Sequence, residues 1–243
     1  MTDKVNFGEQ IVTRQEKTRR VGEVFSSVAR RYDLMNDLMS AGLHRRWKRR
    51  FVARVKPRPG ERILDMAGGT GDVAFRMASR GAKVTIADIN PDMLKVAMER
   101  AQSLGLDALA FSRENAERLT FEDDSFDAYT IAFGIRNVAD IEAALSEAHR
   151  VLKRGGRFFC LEFSSSDWPG FAKLYELYSS RVIPRIGKAV ARDEASYRYL
   201  VESIRRFPRP EEFRLMIARA GFAQSRAEVI LGGLVCIHSG WKI

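Results

Sequence analysis

The sequence Ile63-Leu64-Asp65-Met66-Ala67-Gly68-Gly69-Thr70-Gly71-Asp72 leads from an apolar strand into a glycine-rich turn with a carboxylate at its edge. Glycine has no side chain and tolerates positive φ, so backbone N–H groups in such a turn can approach a bound adenosine closely. A strand that opens into this kind of turn is typical of doubly wound, Rossmann-like α/β domains. The motif therefore predicts a nucleotide pocket on an α/β fold.

The acidic groups of this turn indicate which adenosine compound it binds. Residues 69–74 fit the dinucleotide pattern G-x-G-x-x-G/A, but a diphosphate would face the negative charges of Asp65 and Asp72. S-adenosylmethionine has no phosphate, and it carries a sulfonium and an ammonium against one carboxylate. We therefore expect S-adenosylmethionine rather than NAD, with Asp65, Gly69 and Gly71 at the cofactor.

A second carboxylate follows the next predicted strand, Val84-Thr85-Ile86-Ala87-Asp88. The carboxylate of Asp88 can accept hydrogen bonds from both ribose hydroxyls. Its alternative role is to cap the helix that begins near Asn90-Pro91-Asp92, and the two roles can coexist. Ribose binding is favoured because the glycine-rich turn lies upstream.

Length and composition fit an enzyme with one large α/β domain, since 243 residues with 45% hydrophobic content can bury a full core. No apolar run approaches the roughly 18 residues that a membrane span needs. The N-terminal residues are polar, so we expect a cytoplasmic protein. Cys160 and Cys236 lie in apolar strand-like runs, which favours buried thiols, and the sequence has no metal-ligand spacing.

The positive charge is concentrated at one end of the chain. Residues 1–60 hold 15 Lys and Arg against 6 Asp and Glu, so they carry +9 of the net charge of +10. The stretch from His44 to Arg58 contains no acidic residue. Such a stretch can bind nucleic acid, contact anionic lipid headgroups, or form the solvated face of a helix, and charge alone does not choose among these.

Three regions are predicted along the chain. Residues 1–20 are expected to be a mobile polar lead, residues 21–58 a basic helical region, and residues 59–243 the α/β domain. In the basic region, apolar residues recur at helical spacing from Val21, and a second helix is predicted over about 44–55. Proline and glycine residues at 57–60 separate this region from the first strand.

Strands and helices alternate in the α/β domain, which predicts a parallel sheet with helices on both faces. We predict strands near 62–67, 83–88, 108–113, 127–133 and 157–163, and helices near 72–80, 91–104 and 140–152. A helix over 211–220 and strands near 222–230 and 234–242 complete the pattern. Gly232-Gly233 suits a hairpin turn, so we expect a seven-stranded sheet with a C-terminal antiparallel hairpin.

Residues 164–207 interrupt this alternation. They contain no clear strand but are rich in large apolar residues: Trp168, Phe171, Leu174, Tyr175, Leu177, Tyr178, Val182 and Ile183. The segment leaves the carboxyl end of the fifth strand, where open α/β sheets bind their ligands. We therefore expect a helical lid over an apolar substrate, and the alternative is a pair of helices packed on the core.

Three further motifs resemble one known family. YDLMNDLMSAGLHRRW (residues 32–47) and RVLKRGGRFFCLEFS (residues 150–164) resemble the two signatures of the ubiquinone/menaquinone biosynthesis C-methyltransferases. FGIRNV (residues 133–138), after the fourth strand, is also similar to that family. The resemblance covers nearly the whole chain beyond residue 20 and implies a class I S-adenosylmethionine-dependent methyltransferase.

The resemblance also implies a set of cofactor residues. The family's threonine in the glycine-rich turn corresponds to Thr70, and its ribose-binding acid to Asp88. Its Asn-Ala pair at the adenine edge corresponds to Asn115 and Ala116. A hydroxyl beside the methionine moiety, and an amide with a backbone group at the adenine, are suitable hydrogen-bonding partners.

The activity implied by the resemblance is methylation of a ring carbon in a polyprenylated quinol. The substrate would be 2-polyprenyl-6-methoxy-1,4-benzoquinol, demethylmenaquinol, or both. Such a carbon becomes nucleophilic when a neighbouring hydroxyl loses its proton. The protein therefore needs to place the ring, accept the phenolic proton and stabilise the phenolate.

Candidate catalytic residues lie in two of the family motifs. We expect Arg136 to stabilise the phenolate, because its guanidinium stays charged, and Asn137 to orient the phenolic oxygen or a water. His44 is the first candidate for the proton acceptor, followed by Asp33 and Tyr32. The alternative for His44 is a surface position in the basic helix.

The basic N-terminal region gains a role if the substrate has an isoprenoid tail. We expect it to attach the protein peripherally to the inner, anionic face of a membrane, with other quinone-biosynthesis enzymes as further partners and no nucleic acid. Two alternative functions remain at this stage. One is an RNA methyltransferase that uses the basic residues, and the other is a non-catalytic module that binds S-adenosylmethionine and recruits partners.

Overall fold

The structure, a computed structural model, describes residues 3–29, 32, 36–37, 40, 42–106, 108–164, 194–230 and 233–243. A hairpin and two helices come first: β1 (Lys4–Phe7), β2 (Gln10–Thr13), α1 (Arg14–Val28) and α2 (Leu43–Val55). Strands and helices then alternate: β3 (Arg62–Met66), α3 (Asp72–Ala78), β4 (Lys83–Asp88), α4 (Pro91–Ser103), β5 (Leu109–Arg113), β6 (Phe126–Ala132), α5 (Ile141–Val151) and β7 (Leu152–Phe163). The remaining elements are α6 (Glu194–Arg206), α7 (Pro210–Arg219), β8 (Ala223–Ile230) and β9 (Val235–Trp241).

The main sheet has seven strands in the order β5-β4-β3-β6-β7-β9-β8. Strands β3 to β7 pair in parallel, while β9 runs antiparallel to both β7 and β8. This confirms the predicted doubly wound sheet and its C-terminal antiparallel pair. The strand order reverses beside β3, which pairs with β4 on one side and β6 on the other, and such a reversal opens a crevice at the carboxyl ends of the strands.

Alternate residues of the central strands face two separate cores. On β3, Ile63 packs into the core that α2, α3 and α4 cover, whereas Leu64 packs into the core beneath α5 and α7. Both side chains are fully buried, as expected for a parallel strand covered on both faces. The helices thus hold the sheet from both sides and leave the carboxyl ends of β3 and β6 accessible from above.

The N-terminal residues differ from the prediction of a mobile polar lead over 1–20. Residues 4–7 and 10–13 form the antiparallel β1–β2 hairpin, and α1 begins at Arg14 rather than near Val21. The Thr13 hydroxyl caps α1 by accepting a hydrogen bond from the N–H of Glu16. Phe7 stacks on Tyr199 of α6 with 4.4 Å between ring centroids. The polarity of residues 1–20 does not predict this contact, because Tyr199 is distant in the sequence.

Most other element boundaries fall within a few residues of their predicted positions, with one larger difference. Strand β7 begins at Leu152 instead of 157, because Leu152 already pairs with Phe126 before an irregularity in the register brings Arg157 opposite Ala128. The predicted lid lies largely outside the described residues, since only Ser164 and residues 194–207 of that segment are described. Gly232 of the predicted hairpin turn also lies outside them.

Two further predictions concern the core and the membrane. Cys160 and Cys236 are buried free thiols, as predicted. Within the described ranges, no helix combines the length and apolar character that crossing a membrane requires.

Candidate active site

A cleft opens at the carboxyl ends of β3, β4 and β6, where the strand order reverses. It encloses about 1010 Å³, including space open to solvent. Its walls come from the glycine-rich turn after β3, the start of α4, segments 115–117, 132–134 and 137–138, helix α1 and Tyr32. Because open α/β sheets bind ligands at this position, the cleft is the candidate active site.

Gly68 and Gly69 bring the backbone of the glycine-rich turn to the wall of the cleft. Gly69 has φ of 55°, a conformation that glycine adopts without strain. A Cβ at Gly68 would lie 2.8 Å from Cγ2 of Ile86 and 3.0 Å from the backbone oxygen of Asp65. The turn therefore requires glycine at both positions, which leaves its backbone exposed to a ligand in the cleft.

Asp65, at the end of β3, lines the cleft and is only 1% exposed. Its Oδ1 accepts a hydrogen bond of 2.7 Å from the Thr130 hydroxyl, and its Oδ2 has no hydrogen-bond partner among the described residues. Burial raises the pKa of this carboxyl group from 3.8 to about 7. An unpartnered buried acceptor of this kind is costly to the folded protein, and a cationic ligand group would satisfy it.

Asp88, at the end of β4, also lines the cleft and accepts two backbone hydrogen bonds, from the N–H of Gly69 at 3.0 Å and of Asn90 at 2.9 Å. Burial raises the pKa of Asp88 to about 6. The side chain that caps α4 is Asn90, which accepts from the N–H groups of Asp92 and Met93. The alternative helix-capping role for Asp88 is therefore wrong, and its oxygens retain acceptor positions for a ligand.

The remaining predicted cofactor residues fall into two groups. Thr70, Asn115 and Ala116 line the cleft, and Thr70 and Ala116 are buried. The Asn115 Oδ1 accepts from the N–H of Glu117, which fixes the turn after β5. Gly71 is not part of the cleft wall; it lies at the start of α3 with φ of 85°. Gly71 thus shapes the turn instead of lining the site.

Lys48 of α2 also lines the cleft, although the sequence analysis did not single it out. Its Nζ lies 2.9 Å from Oδ2 of Asp72 in a largely buried ion pair. Burial alone would raise the pKa of Asp72, but the charge and hydrogen bond of Lys48, together with the charges of Arg76 and Arg100, outweigh this effect and lower that pKa. Lys48 shares the buried face of α2 with Trp47 and Phe51. A lysine on an apolar helical face was the signal that could have identified it.

Arg136 does not line the cleft in the way the prediction required. It lies in a 3₁₀ turn, Ile135–Asn137, and its Nη1 pairs at 2.7 Å with Oε1 of Glu162 on β7. Glu162 is fully buried and also accepts from the N–H of Phe163. The guanidinium therefore faces Glu162 in the core instead of the cleft, and its stabilisation of the phenolate stays a prediction. A glutamate inside the apolar run of β7 was the overlooked signal, since buried charges are paired.

Two predicted catalytic residues do lie at the cleft. Asn137 lines it, and its Oδ1 accepts a hydrogen bond of 3.0 Å from the Tyr199 hydroxyl of α6. Tyr32 also lines it and packs against Phe25 of α1 with 6.0 Å between ring centroids. The structure thus brings the amide of Asn137 and the phenol of Tyr32 to the wall of the same cleft.

The candidate proton acceptor His44 lies away from the cleft wall. Its side chain is buried, and its Nε2 lies 2.8 Å from Oδ1 of Asp37. Burial lowers the pKa of His44 despite this carboxylate. The alternative of a surface position is wrong for His44, because the residue is only 3% exposed, and its role as proton acceptor stays a prediction. Asp33 lies outside the described residues.

Solved structures of similar fold include methyltransferases. One is a SAM-dependent methyltransferase of Thermotoga maritima, with a TM-score of 0.66 and 19% identity, covering 92% of this chain and 100% of that chain. Another is a phosphoethanolamine N-methyltransferase of Haemonchus contortus in complex with S-adenosyl-L-methionine. It has a TM-score of 0.57 and 22% identity, and the match covers 76% of this chain and 38% of that chain. At these identities the likeness concerns the fold.

The sheet order and the acidic glycine-rich turn together define a class I, S-adenosylmethionine-dependent methyltransferase. The chain belongs to the ubiE/COQ5 methyltransferase family, whose profile matches residues 13–242. A relative from Zymomonas mobilis, described as a ubiquinone/menaquinone biosynthesis C-methyltransferase, is 61% identical over 99% of this chain and 100% of its own length. A relative of the same description from Rhodopseudomonas palustris is 54% identical over 98% of this chain and 97% of its own length.

Proposed function

We propose that the protein transfers a methyl group from S-adenosylmethionine to a ring carbon of a polyprenylated quinol in ubiquinone/menaquinone biosynthesis. Its family and its relatives at 54–61% identity support this reaction. The structural observation that carries the proposal is the buried Asp65 carboxylate, whose Oδ2 has no partner among the described residues at the wall of the cleft. A cationic methyl donor suits such a group, and a pyrophosphate does not.

The cofactor would be held by the residues that line one end of the cleft: Asp65, Thr70, Asp88, Asn115 and Ala116. When bound, S-adenosylmethionine supplies an electrophilic methyl group on sulfur. Asp65 offers a carboxylate to the positive end of the donor, and Asp88 offers its remaining acceptor positions to ribose hydroxyls. These residues thereby fix the donor's orientation relative to the second substrate.

For the quinol, we propose that Asn137 is the residue that contacts the phenolic oxygen. An amide group carries two N–H donors, and the Tyr199 hydroxyl donates to its Oδ1, which orients the Nδ2 group. Donation to the oxygen that loses its proton would stabilise the charge that spreads into the ring. Arg136 and Glu162 support this contact indirectly, because their ion pair holds the 3₁₀ turn that carries Asn137.

We further propose that the exposed face of α2 attaches the protein to an anionic membrane surface where such substrates reside. This face carries five arginines: Arg45, Arg46, Arg49, Arg50 and Arg54. Asp37 pairs with the first of them, and Glu228 with the last two. Arg46 and Arg49 have no ion-pair partner among the described residues, so their charges are available to lipid phosphates.

The decisive test is methyl transfer by the purified protein from radiolabelled S-adenosylmethionine to short-chain benzoquinol and demethylmenaquinol. We expect label in one or both quinols and none in bulk RNA. Asn137→Ala should lower kcat by about 100-fold, as for the loss of one donor to a developing oxyanion, while the Kd for S-adenosylhomocysteine stays within about threefold.

Three outcomes of this assay would contradict the proposal. Label in RNA would indicate an RNA methyltransferase, and binding without any transfer would indicate a non-catalytic module. An Asn137→Ala variant with unchanged kcat would refute the role of Asn137 alone. Mass spectrometry of quinones after deletion of the gene identifies the ring in the cell, because the accumulated precursor lacks one methyl group.

A further inference from the structure

The charged residues that line the cleft are mostly negative. Four of them are acidic: Asp65, Asp72, Asp88 and Glu117. Lys48 is the single cation among the described residues of the cleft wall. A cleft built only to attract a positively charged donor would not need this lysine, so its presence calls for a separate explanation.

The position of Lys48 is costly to the fold. Its side chain is 6% exposed, and a lysine is rarely buried so deeply unless it is paired or functional. The ion pair with Asp72 uses one of the three N–H donors of its ammonium group. Asp72 does not depend on Lys48 alone, because its Oδ1 lies 3.1 Å from Nη2 of Arg76. Lys48 thus retains donor capacity at the cleft wall.

Lys48 also lies at the same end of the cleft as Asp65. The two interact electrostatically, because the Lys48 charge opposes the effect of burial on the Asp65 carboxyl. The glycine-rich turn joins β3, which carries Asp65, to α3, and Lys48 contacts Asp72 at the start of α3. One end of the cleft therefore presents a cation and an unpartnered carboxylate oxygen together.

We infer that Lys48 binds the α-carboxylate of the methionyl group of S-adenosylmethionine, while Asp65 binds its ammonium. An amino acid is a zwitterion, so a site that recognises it needs one group of each sign, and Lys48 and Asp65 supply them. The inference rests on the proposed cofactor. It makes Lys48 a binding residue that selects a donor with an intact amino acid end over nucleosides that lack the carboxylate.

Calorimetry with two ligands that differ in one group tests this assignment directly. The ligands are S-adenosylhomocysteine and its decarboxylated analogue, which keeps the ammonium and lacks the carboxylate. We expect the wild type to prefer S-adenosylhomocysteine, and Lys48→Met to weaken that ligand by about 10- to 100-fold, as for a lost hydrogen bond between charged groups. The affinity for the decarboxylated analogue should change by less than about threefold.

Matched variants separate recognition from structural support. Lys95→Met removes an exposed lysine of α4 and should leave both affinities unchanged. Lys48→Arg keeps the charge and should retain most of the preference, which also covers the case in which Lys48→Met does not fold. Asp72→Asn removes the ion-pair partner and should preserve discrimination between the two ligands.

The inference is overturned if Lys48→Met weakens both ligands equally, since Lys48 would then only support the turn through Asp72. It is also overturned if the wild type binds the two ligands equally well. Failure of the wild type to bind either nucleoside would instead contradict the proposed cofactor, and this inference with it.

Discussion

At the scale of single residues, the cleft is built around two carboxylates that the fold buries before any ligand arrives. Burial places the pKa of Asp65 at about 7 and that of Asp88 at about 6, both above the ordinary value of 3.8. Between pH 3.8 and 7 the folded protein therefore binds more protons at Asp65 than the unfolded chain does. The contribution of Asp65 to stability therefore falls as pH rises through this window, because the buried carboxyl must ionise.

The variant Asp65→Asn removes this pH-dependent cost. We expect it to be more stable than the wild type by about 2 kcal/mol at pH 8, a fraction of the cost of ionising a buried carboxyl whose pKa is raised by about three units. The difference should shrink as pH falls to 5. Urea unfolding of the ligand-free proteins at several pH values measures it.

Binding supplies the complementary observation for Asp65. Asp65→Asn should bind S-adenosylhomocysteine at least about tenfold more weakly at pH 8, because the amide carries no charge for the ammonium. A stability difference that stays constant with pH, or undiminished binding, would contradict the assigned environment of Asp65.

At the scale of elements, a buried ion pair joins β7 to the 3₁₀ turn that carries Asn137. Glu162 accepts from Nη1 of Arg136 at 2.7 Å, and Arg136 Nη1 also donates to the backbone oxygen of Phe133. Both side chains are almost completely inaccessible to solvent. Removing one partner of such a pair leaves an uncompensated charge in the core, which is far more costly than removing both.

Two variants distinguish these cases. Glu162→Gln should lower the free energy of unfolding by about 3 kcal/mol, because it leaves the Arg136 guanidinium without a counter-charge. The double variant Glu162→Gln with Arg136→Met should recover most of this loss. Urea denaturation at pH 7 measures both values, and additive losses in the double variant would show that the ion pair does not couple the two residues.

The elements themselves were largely predictable from sequence, because hydrophobic alternation and glycine-rich turns are local signals. The parallel sheet, its C-terminal antiparallel pair and the position of the cleft followed from them. The β1–β2 hairpin was missed because Phe7 finds its partner Tyr199 only in three dimensions. Two ion pairs, Arg136 with Glu162 and Lys48 with Asp72, were missed for the same reason. Each joins segments that are distant in the sequence.

At the scale of the whole molecule, the positive charge lies apart from the candidate active site. Most of the net charge of +10 belongs to residues 1–60, whereas the cleft wall is predominantly acidic. The exposed arginines of α2 therefore lie on a different surface from the cofactor residues. Under the proposed function, this separation lets the protein be attracted to anionic lipid without drawing anions into the cleft.

Membrane attachment through α2 is testable with vesicles. We expect the wild type to sediment with anionic liposomes at low salt and to be released at high salt. Arg46→Gln with Arg49→Gln should lower the partition coefficient about 30-fold, at roughly 1 kcal/mol for each contacting residue. Lys95→Gln with Arg219→Gln removes the same charge elsewhere and should have little effect. Equal binding to neutral liposomes would contradict the electrostatic mechanism.

The stacking of Phe7 on Tyr199 joins two segments of the chain that are synthesised far apart in time. Tyr199 holds Asn137 through its hydroxyl and holds the hairpin through its ring. A ribosome makes Phe7 long before Tyr199, and at about 5–20 residues per second the interval is roughly 10 to 40 s. During that time the nascent hairpin has no aromatic partner. The hydrogen bond from Tyr199 to Asn137 therefore forms only after the nucleotide-binding half of the sheet has been synthesised.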